Sequence, residues 1–288
     1  MTDRAAPAPL PPILIEDMVR AALREDFGRA GDVTSAATIP AGARATATVN
    51  AREPGTICGI DFARAAFAGQ GANLKLSALV ADGARVAPGD PVLRIEGDAR
   101  AIMGGERVAL NFLCHLSGIA SLTARFVEAV AGTGARITCT RKTTPGLRAA
   151  EKYAVRIGGG ANHRFGLDDA ILIKDNHIAV AGGVGPAVRA ARAYAGHLMA
   201  VEVEVDTIAQ LHEALEAGAP VILLDNFDVA RLREAVAIAA GRAVLEASGG
   251  VTLESVRALA QTGVDVISSS RITMAAGTLD LGLDIEIA

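Results

Sequence analysis

The chain has 288 residues, enough to bury the core of one large or two moderate domains, and carries a net charge of −4 at pH 7. That balance, with two Tyr, seven Phe and no Trp, argues against a general nucleic-acid binder, which needs a basic face and stacking platforms. Cys58, Cys114 and Cys139 are far apart and form no CxxC, which excludes a zinc-type spacing and a disulfide framework and fits buried thiols in a reducing cytoplasm.

The start, MTDRAAPAPLPPILIEDM, is broken by prolines and has no signal-peptide apolar region. No run approaches the ~20 apolar residues of a membrane span. A cytoplasmic protein with a frayed start and no membrane partner is the expectation. IEDMVRAALREDFG predicts a helix with Ile15, Met18, Val19, Ala22 and Leu23 on one face. ARATATVNARE alternates as a strand does. LVADGARVAPGDPVLRIEG reads as short strands joined by Asp-Gly and Pro-Gly-Asp turns. It resembles the half-barrel turns of biotinyl and lipoyl carriers but lacks their modified lysine, so its role is structural. ERVALNFLCHLSGIASLTARFVEAVAGTG predicts a long helix with Val108, Phe112, Leu116 and Ile119 on one face. It is expected to bridge an N-terminal domain, 1–116, and a second domain, 117–275, with a tail, 276–288, able to pack back on the first.

A rhythm then begins: RITCT, AILIKDN, LMAVEVEV, VILLDN, AVLEASGG and VDVISSS are β-rich runs ending in polar residues. Between the later ones lie helical patterns. TIAQLHEALEAG stops at Gly218, and TLESVRALAQTG has Thr252 as N-cap and Gly263 as its stop. Strand–helix alternation implies a parallel sheet of six strands, either a barrel smaller than the usual eight or a doubly wound open sheet. Polar residues close nearly every strand, which favours the barrel, whose chemistry sits on that rim; an open sheet would gather its site at one switch point.

From Arg141 to Lys174 the chain holds seven cations and three acids, leaving the remainder near −8. Only four lysines stand against 24 arginines, and three of them, Lys142, Lys152 and Lys174, fall here. Arg148, Lys152 and Arg156 fit the wet face of a helix, with Glu151 a surface charge. Arg141 and Lys174 instead end apolar strands, where a stray cation is costly. The rim carries Thr140-Arg141-Lys142, then His163-Arg164, then Lys174-Asp175-Asn176-His177. Glu202, Glu204 and Asp206 follow on one strand face, then Asp225-Asn226, Ser248-Gly249-Gly250 and Ser268-Ser269-Ser270. No Walker loop, GxGxxG, HExxH or GxSxG is present, which removes covalent hydrolase and zinc chemistry.

Arg141, His163, Arg164 and Lys174 make a pocket for a compact polyanion. Glu204 and Asp225 suit Mg²⁺ held mainly through phosphates, or sugar hydroxyls. The Ser-Gly-Gly and triple-Ser turns, each before a helix, offer backbone N–H groups to a phosphate. Together these suggest a phosphorylated sugar meeting an acidic small molecule.

TRKTTPGLRAAEKYAV, GGGANHRFGLDDAILIKDNH, VEVEVDT, LLDNF, LEASGG and GVDVISSS resemble the quinolinate phosphoribosyltransferases, as do EDFGRAGDVTS and GERVALNFLCHLSGIAS. The resemblance implies an N-terminal α/β sandwich and an incomplete α/β barrel, in a homodimer or higher oligomer with shared sites. It implies quinolinate's carboxylates on Arg141, His163, Arg164 and Lys174, with Arg107 arriving from the other subunit. Lys142 would face the phosphates of phosphoribosyl pyrophosphate. Glu204 and Asp225 would stand near the ribose and Mg²⁺, and residues 248–250 and 268–270 would take the 5′-phosphate. After VIS the family usually shows a glycine and then Thr-His; here the run is SSSRITMAAG. Rival readings are a related barrel for another acid, a Schiff-base aldolase on Lys174, and an anion-binding module without turnover.

Overall fold

The computed structural model describes residues 7–71 and 73–287; the first six residues, on which the expectation of a frayed start falls, lie outside them. The chain divides into two bodies. One comprises Met1–Ala124, Thr144–Gly159 and Ala276–Ala288, and the other Arg125–Thr143 and Gly160–Ala275. The helix Ala99–Ala129 runs without a break past both Leu116 and Ala124. By length and composition this helix is apolar enough to cross a membrane. Its apolar residues are core instead, with Leu113, Leu116 and Ile119 fully buried.

The first body is built on an antiparallel sheet. Arg44–Ala51 pairs with Pro91–Asp98 on one side and Leu281–Ile287 on the other, and Lys75–Ala78 adds to the far edge. Alternation puts Ala45, Ala47, Val49 and Ala51 into the core. The helix Pro12–Phe27 buries Ile15, Val19 and Leu23, three of the residues the sequence pattern groups on one face. The tail is tied to the long helix: Leu279 N–H donates to Cys114 O at 2.9 Å. At Gly118 that helix meets the 277–278 backbone so closely that a Cβ would collide with the Gly277 carbonyl.

The helix Arg148–Ile157 corrects the surface reading of its charges. Glu151 and Lys152 are 0% and 2% exposed. Glu151 is buried because it has partners: His115 Nε2 lies 2.9 Å from Oε1, and Thr144 N–H donates to Oε2 at 3.2 Å. Tyr153 donates to Asp82 at 2.9 Å, while Asp82 accepts from the Gly59 and Ile60 amides that open the helix Ile60–Ala68.

The second body is a six-stranded parallel sheet. Its strands, in chain order, are Arg136–Thr138, Ala170–Ile173, Ala200–Val205, Val221–Asp225, Val244–Ser248 and Val266–Ser268. In space the order is first, sixth, fifth, fourth, third, second. The first and second strands therefore stand at opposite edges, and the barrel is incomplete. The expected cap, Thr252, starts one helix by accepting from Ser255 N–H at 3.3 Å, and Thr207 caps another by accepting from Gln210 N–H at 3.2 Å. Gly218 and Gly263 follow at φ 74° and 97°, conformations that favour glycine.

Candidate active site

The C-terminal strand ends of the second body carry the chemistry, as a parallel barrel requires. The first strand stops at Thr138, sooner than the sequence suggests, and the chain continues as a loop through Thr143. Lys142 is held at both ends of its backbone: its N–H donates to Thr140 Oγ1 at 3.0 Å, and its carbonyl accepts from Thr273 at 2.7 Å. The glycine-rich stretch before His163 lies along the same strand. Ala161 N–H donates to Ile137 O at 2.8 Å, and Ala161 O accepts from Thr138 Oγ1 at 3.1 Å. This docking brings His163 and Arg164 to the rim. Asp169 closes the following turn by accepting from the Phe165 and Gly166 amides at 2.6 and 2.8 Å.

Two adjoining cavities result. One of about 380 Å³ is lined by Thr140, Arg141, Lys142, His163, Arg164 and Lys174, with Glu204, Asp225, Glu246 and the apolar Leu172 and Leu223. The other, about 310 Å³, shares Thr140, Lys142, Asp225, Ser248 and Ser268 with it and adds Gly249, Gly250, Ser269, Ser270 and Arg271. Every residue given a substrate- or cation-binding role from the sequence therefore lines one cavity or the other except Arg107, whereas Asp175, Asn176, His177, Glu202, Asp206 and Asn226 of the expected rim line neither. Arg107 is on the long helix of the first body, exposed, 3.9 Å from Glu106. A larger groove, about 540 Å³, lies beside the first helix and is lined by Val19, Leu23, Phe27, Ala65 and Ala68, together with Glu16, Arg20 and Arg24.

In the first cavity the Arg164 guanidinium donates from Nη1 to Ala170 O at 3.3 Å, while Nε is buried without a hydrogen-bond partner. Burial, then the neighbouring Arg141 charge, lowers its pKa. Lys174 Nζ meets Glu204 Oε2 at 2.6 Å. Its backbone N–H donates to His177 Nδ1 at 3.0 Å, so the Asp-Asn-His turn supports the lysine from below. Burial, then the charges of Glu204 and Asp206, raises the Asp225 carboxyl. Three carboxylates crowded near one lysine are the donor set a hard cation relieves, so Glu204 and Asp225 fit Mg²⁺.

The second cavity is a backbone cradle. Gly249, at φ 93°, packs on Asn226 so tightly that any Cβ would collide with it. Asn226, itself at φ 55°, donates its N–H to Ser248 O at 3.0 Å. Ser269 Oγ donates to Val251 O at 3.1 Å and so fastens one cradle loop to the other.

Below the rim, His163 Nε2 lies 3.0 Å from Glu202 Oε2 and 3.7 Å from Glu246 Oε1. Sequence reasoning placed Glu202 on the same strand face as Glu204 but gave Glu246 no role. The signal was available: Glu246 stands two residues before Ser248 and so shares its face. Burial, then Glu202, raises the Glu246 carboxyl to about 7.

Comparison with known proteins agrees along the whole arrangement. Residues 119–284 match the family model of the quinolinate phosphoribosyl transferase C-terminal domain, and 32–117 that of its N-terminal domain. The nicotinate-nucleotide pyrophosphorylase [carboxylating] of Mycobacterium leprae is 46% identical over 276 residues, 93% of this chain and 96% of the relative. A probable enzyme of the same name from Bacillus subtilis is 41% identical, over 92% of this chain and 91% of its own length. The crystal structure of NadC from Streptococcus pyogenes superimposes with a TM-score of 0.94 at 41% identity, covering 98% of this chain and 100% of that one. The chain belongs to the quinolinate phosphoribosyl transferase family.

Proposed function

We propose that the protein transfers phosphoribosyl from phosphoribosyl pyrophosphate to quinolinate and decarboxylates the product, giving nicotinate mononucleotide, pyrophosphate and CO₂ for NAD biosynthesis. The observation that carries this reading is the buried Arg164 Nε–H without an acceptor, in a cavity walled by Arg141, Lys142 and Lys174. A buried guanidinium of this kind calls for a carboxylate. The adjoining cradle of Ser248–Gly250 and Ser268–Ser270 offers backbone N–H groups and hydroxyls to a phosphate.

Arg141, His163, Arg164 and Lys174, which line one cavity, hold the two carboxylates. Leu172 and Leu223 give the pyridine ring an apolar surface. The ring nitrogen's lone pair forms a bond to the anomeric carbon as the bond to pyrophosphate oxygen breaks. Glu204 and Asp225 stabilise the positive charge that develops on the sugar, and Lys142 faces the departing phosphates. Glu204 and Asp225 would also hold Mg²⁺, which when bound neutralises pyrophosphate charge. The pyridinium then accepts the electron pair of the breaking C2–carboxylate bond, CO₂ leaves, and C2 takes a proton. Lys174 Nζ is tied to Glu204 at 2.6 Å rather than free to attack a carbonyl, which disfavours the Schiff-base reading. A cytoplasmic homodimer, in which the exposed Arg107 reaches the partner's site, belongs to this proposal.

The test mixes protein, Mg²⁺, phosphoribosyl pyrophosphate and carboxyl-labelled quinolinate. Labelled CO₂ should appear in step with nicotinate mononucleotide. No release at any protein concentration would sink the assignment.

A further inference from the structure

Of the five residues that line both cavities, Thr140, Lys142, Asp225, Ser248 and Ser268, Lys142 alone is cationic. A ligand reaching from the anion pocket to the phosphate cradle passes its ammonium. Yet Lys142 sits on an exposed loop beyond Thr138, where the first strand has left the parallel ladder. Its long flexible stem would spread the charge over many positions if the backbone were loose as well. Of its two backbone bonds, the one from N–H to Thr140 Oγ1 is local. The one at its carbonyl reaches Thr273, 131 residues away in the chain.

Thr273 stands in the short helix Arg271–Met274, directly after the Ser268–Ser270 turn. It is 5% exposed and lines neither cavity. A threonine in a helical turn often bonds its hydroxyl back to its own backbone, and here Ser270 O lies 3.3 Å from Oγ1. Lys142 O lies nearer, at 2.7 Å. The hydroxyl has one hydrogen, and the shorter contact, at an ordinary O–H···O distance, takes it. The turn itself does not need that hydrogen, since Ser270 O already accepts from the Thr273 and Met274 amides at 3.2 and 2.9 Å. The turn is also fixed elsewhere: Ser269 N–H donates to Thr138 O at 3.1 Å, and Ile272 is fully buried. The hydroxyl therefore ties the Lys142 loop to a turn already anchored in the barrel.

We propose that Thr273 is a positioning residue: its hydroxyl holds the Lys142 carbonyl to the turn that walls the phosphate cradle, and so keeps the Lys142 ammonium at the junction of the two cavities. The ligand it serves is phosphoribosyl pyrophosphate, whose sugar bridges the pyridine pocket and the cradle that takes the 5′-phosphate. This deepens the phosphoribosyl-transfer reading and rests on it. Without the hydroxyl the Lys142 carbonyl loses its fixed donor, the loop turns toward water to satisfy it, and the ammonium leaves the phosphates. His163, Arg164 and Lys174 stand on other segments, so the quinolinate side is affected less.

In steady-state kinetics Thr273→Val, which keeps the shape and removes the hydroxyl, should raise KM for phosphoribosyl pyrophosphate about tenfold while KM for quinolinate moves less than about threefold. Thr273→Ser restores the donor and should recover most of that loss. Equal effects on both substrates, or no recovery with Ser, overturn the proposal. A double-mutant cycle, read by calorimetric Kd for phosphoribosyl pyrophosphate and so independent of turnover, separates positioning from a general weakening of the fold. In a Lys142→Ala background Thr273→Val should change that Kd less than about twofold, because the group it places is gone. A further loss of about tenfold there means that Thr273 acts on something else, and overturns the proposal as well. Where Thr273→Val does not fold, Thr273→Ala takes its place in both measurements. A crystal structure of the wild type needs no variant: Thr273 Oγ1 beyond about 3.5 Å from Lys142 O overturns the proposal outright. A wild type that consumes no quinolinate fails the site reading; an active wild type whose Thr273→Val form keeps its KM for phosphoribosyl pyrophosphate fails this proposal alone.

Discussion

Two layers of acids occupy the same strands at different depths. Glu204 and Asp225 stand at the rim beside Lys174, whereas Glu202, two residues earlier on its strand, and Glu246, two before Ser248, lie buried around His163. The residue type is shared, but the environment is not. At the rim the carboxylates stand beside a lysine, where a cation or a sugar can reach them. One step down, both glutamates pack around the His163 ring, and burial raises the Glu246 carboxyl. Depth along a strand, more than residue identity, divides the groups that meet substrate from those that hold them in place.

The largest effect should come from removing the cation that the rim acids share. Lys174→Ala takes a charge from the anion pocket and leaves Glu204 without its 2.6 Å partner. A fall in kcat/KM of about 10²–10³-fold is expected, and near-normal turnover would dissolve the upper layer as a functional unit. Arg164→Ala follows. Loss of a half-buried guanidinium should weaken quinolinate binding by roughly 3 kcal/mol, measured by calorimetry; a change below about tenfold removes Arg164 from the pocket. Asp225→Asn should raise the Mg²⁺ concentration for half-maximal rate by about tenfold, and an unchanged Mg²⁺ curve would strip the rim of its cation role.

The lower layer gives the smallest signal, in stability rather than rate. Glu246 titrates near 7 in the folded protein against 4.5 for an ordinary glutamate. Between those values the unfolded chain has released a proton that the folded chain keeps. Stability from this group is therefore whole below about pH 4.5 and declines as pH rises toward 7. Glu246→Gln removes that slope. Between pH 5 and 7.5, wild-type melting temperature should drop by about 2–4 °C more than that of the variant. Parallel curves would show that Glu246 is ionised in the fold.

Much of the barrel was legible because its signals are local. Thr207 and Thr252 cap helices by their own side chains, Gly218 and Gly263 end them, and each strand announces itself as an apolar run with polar residues at its end. The rim was legible for the same reason, since a cation closing an apolar strand has few structural uses. What escaped needs partners distant in sequence. Glu151 and Lys152 look like wet helix charges, and only the fold brings His115 and the Thr144 amide to Glu151. That helix also joins the first body although the barrel's loops flank it. Glu246 carries no sign of its raised pKa within LEASGG, because the causes are its burial in the fold and then Glu202, on a strand some 40 residues earlier.

The closing strand Leu281–Ile287 bears on how the chain is made. It fills one side of Arg44–Ala51, whose other sheet partners all lie within the first hundred residues. While the ribosome is still translating the barrel, that early strand keeps a bare row of amides, a template for pairing with a neighbouring nascent chain. Every barrel strand, by contrast, has been synthesised before the final codons are read. Premature termination near the 3′ end of the message would thus leave the active-site body with its full set of strands and the other with an adhesive flank.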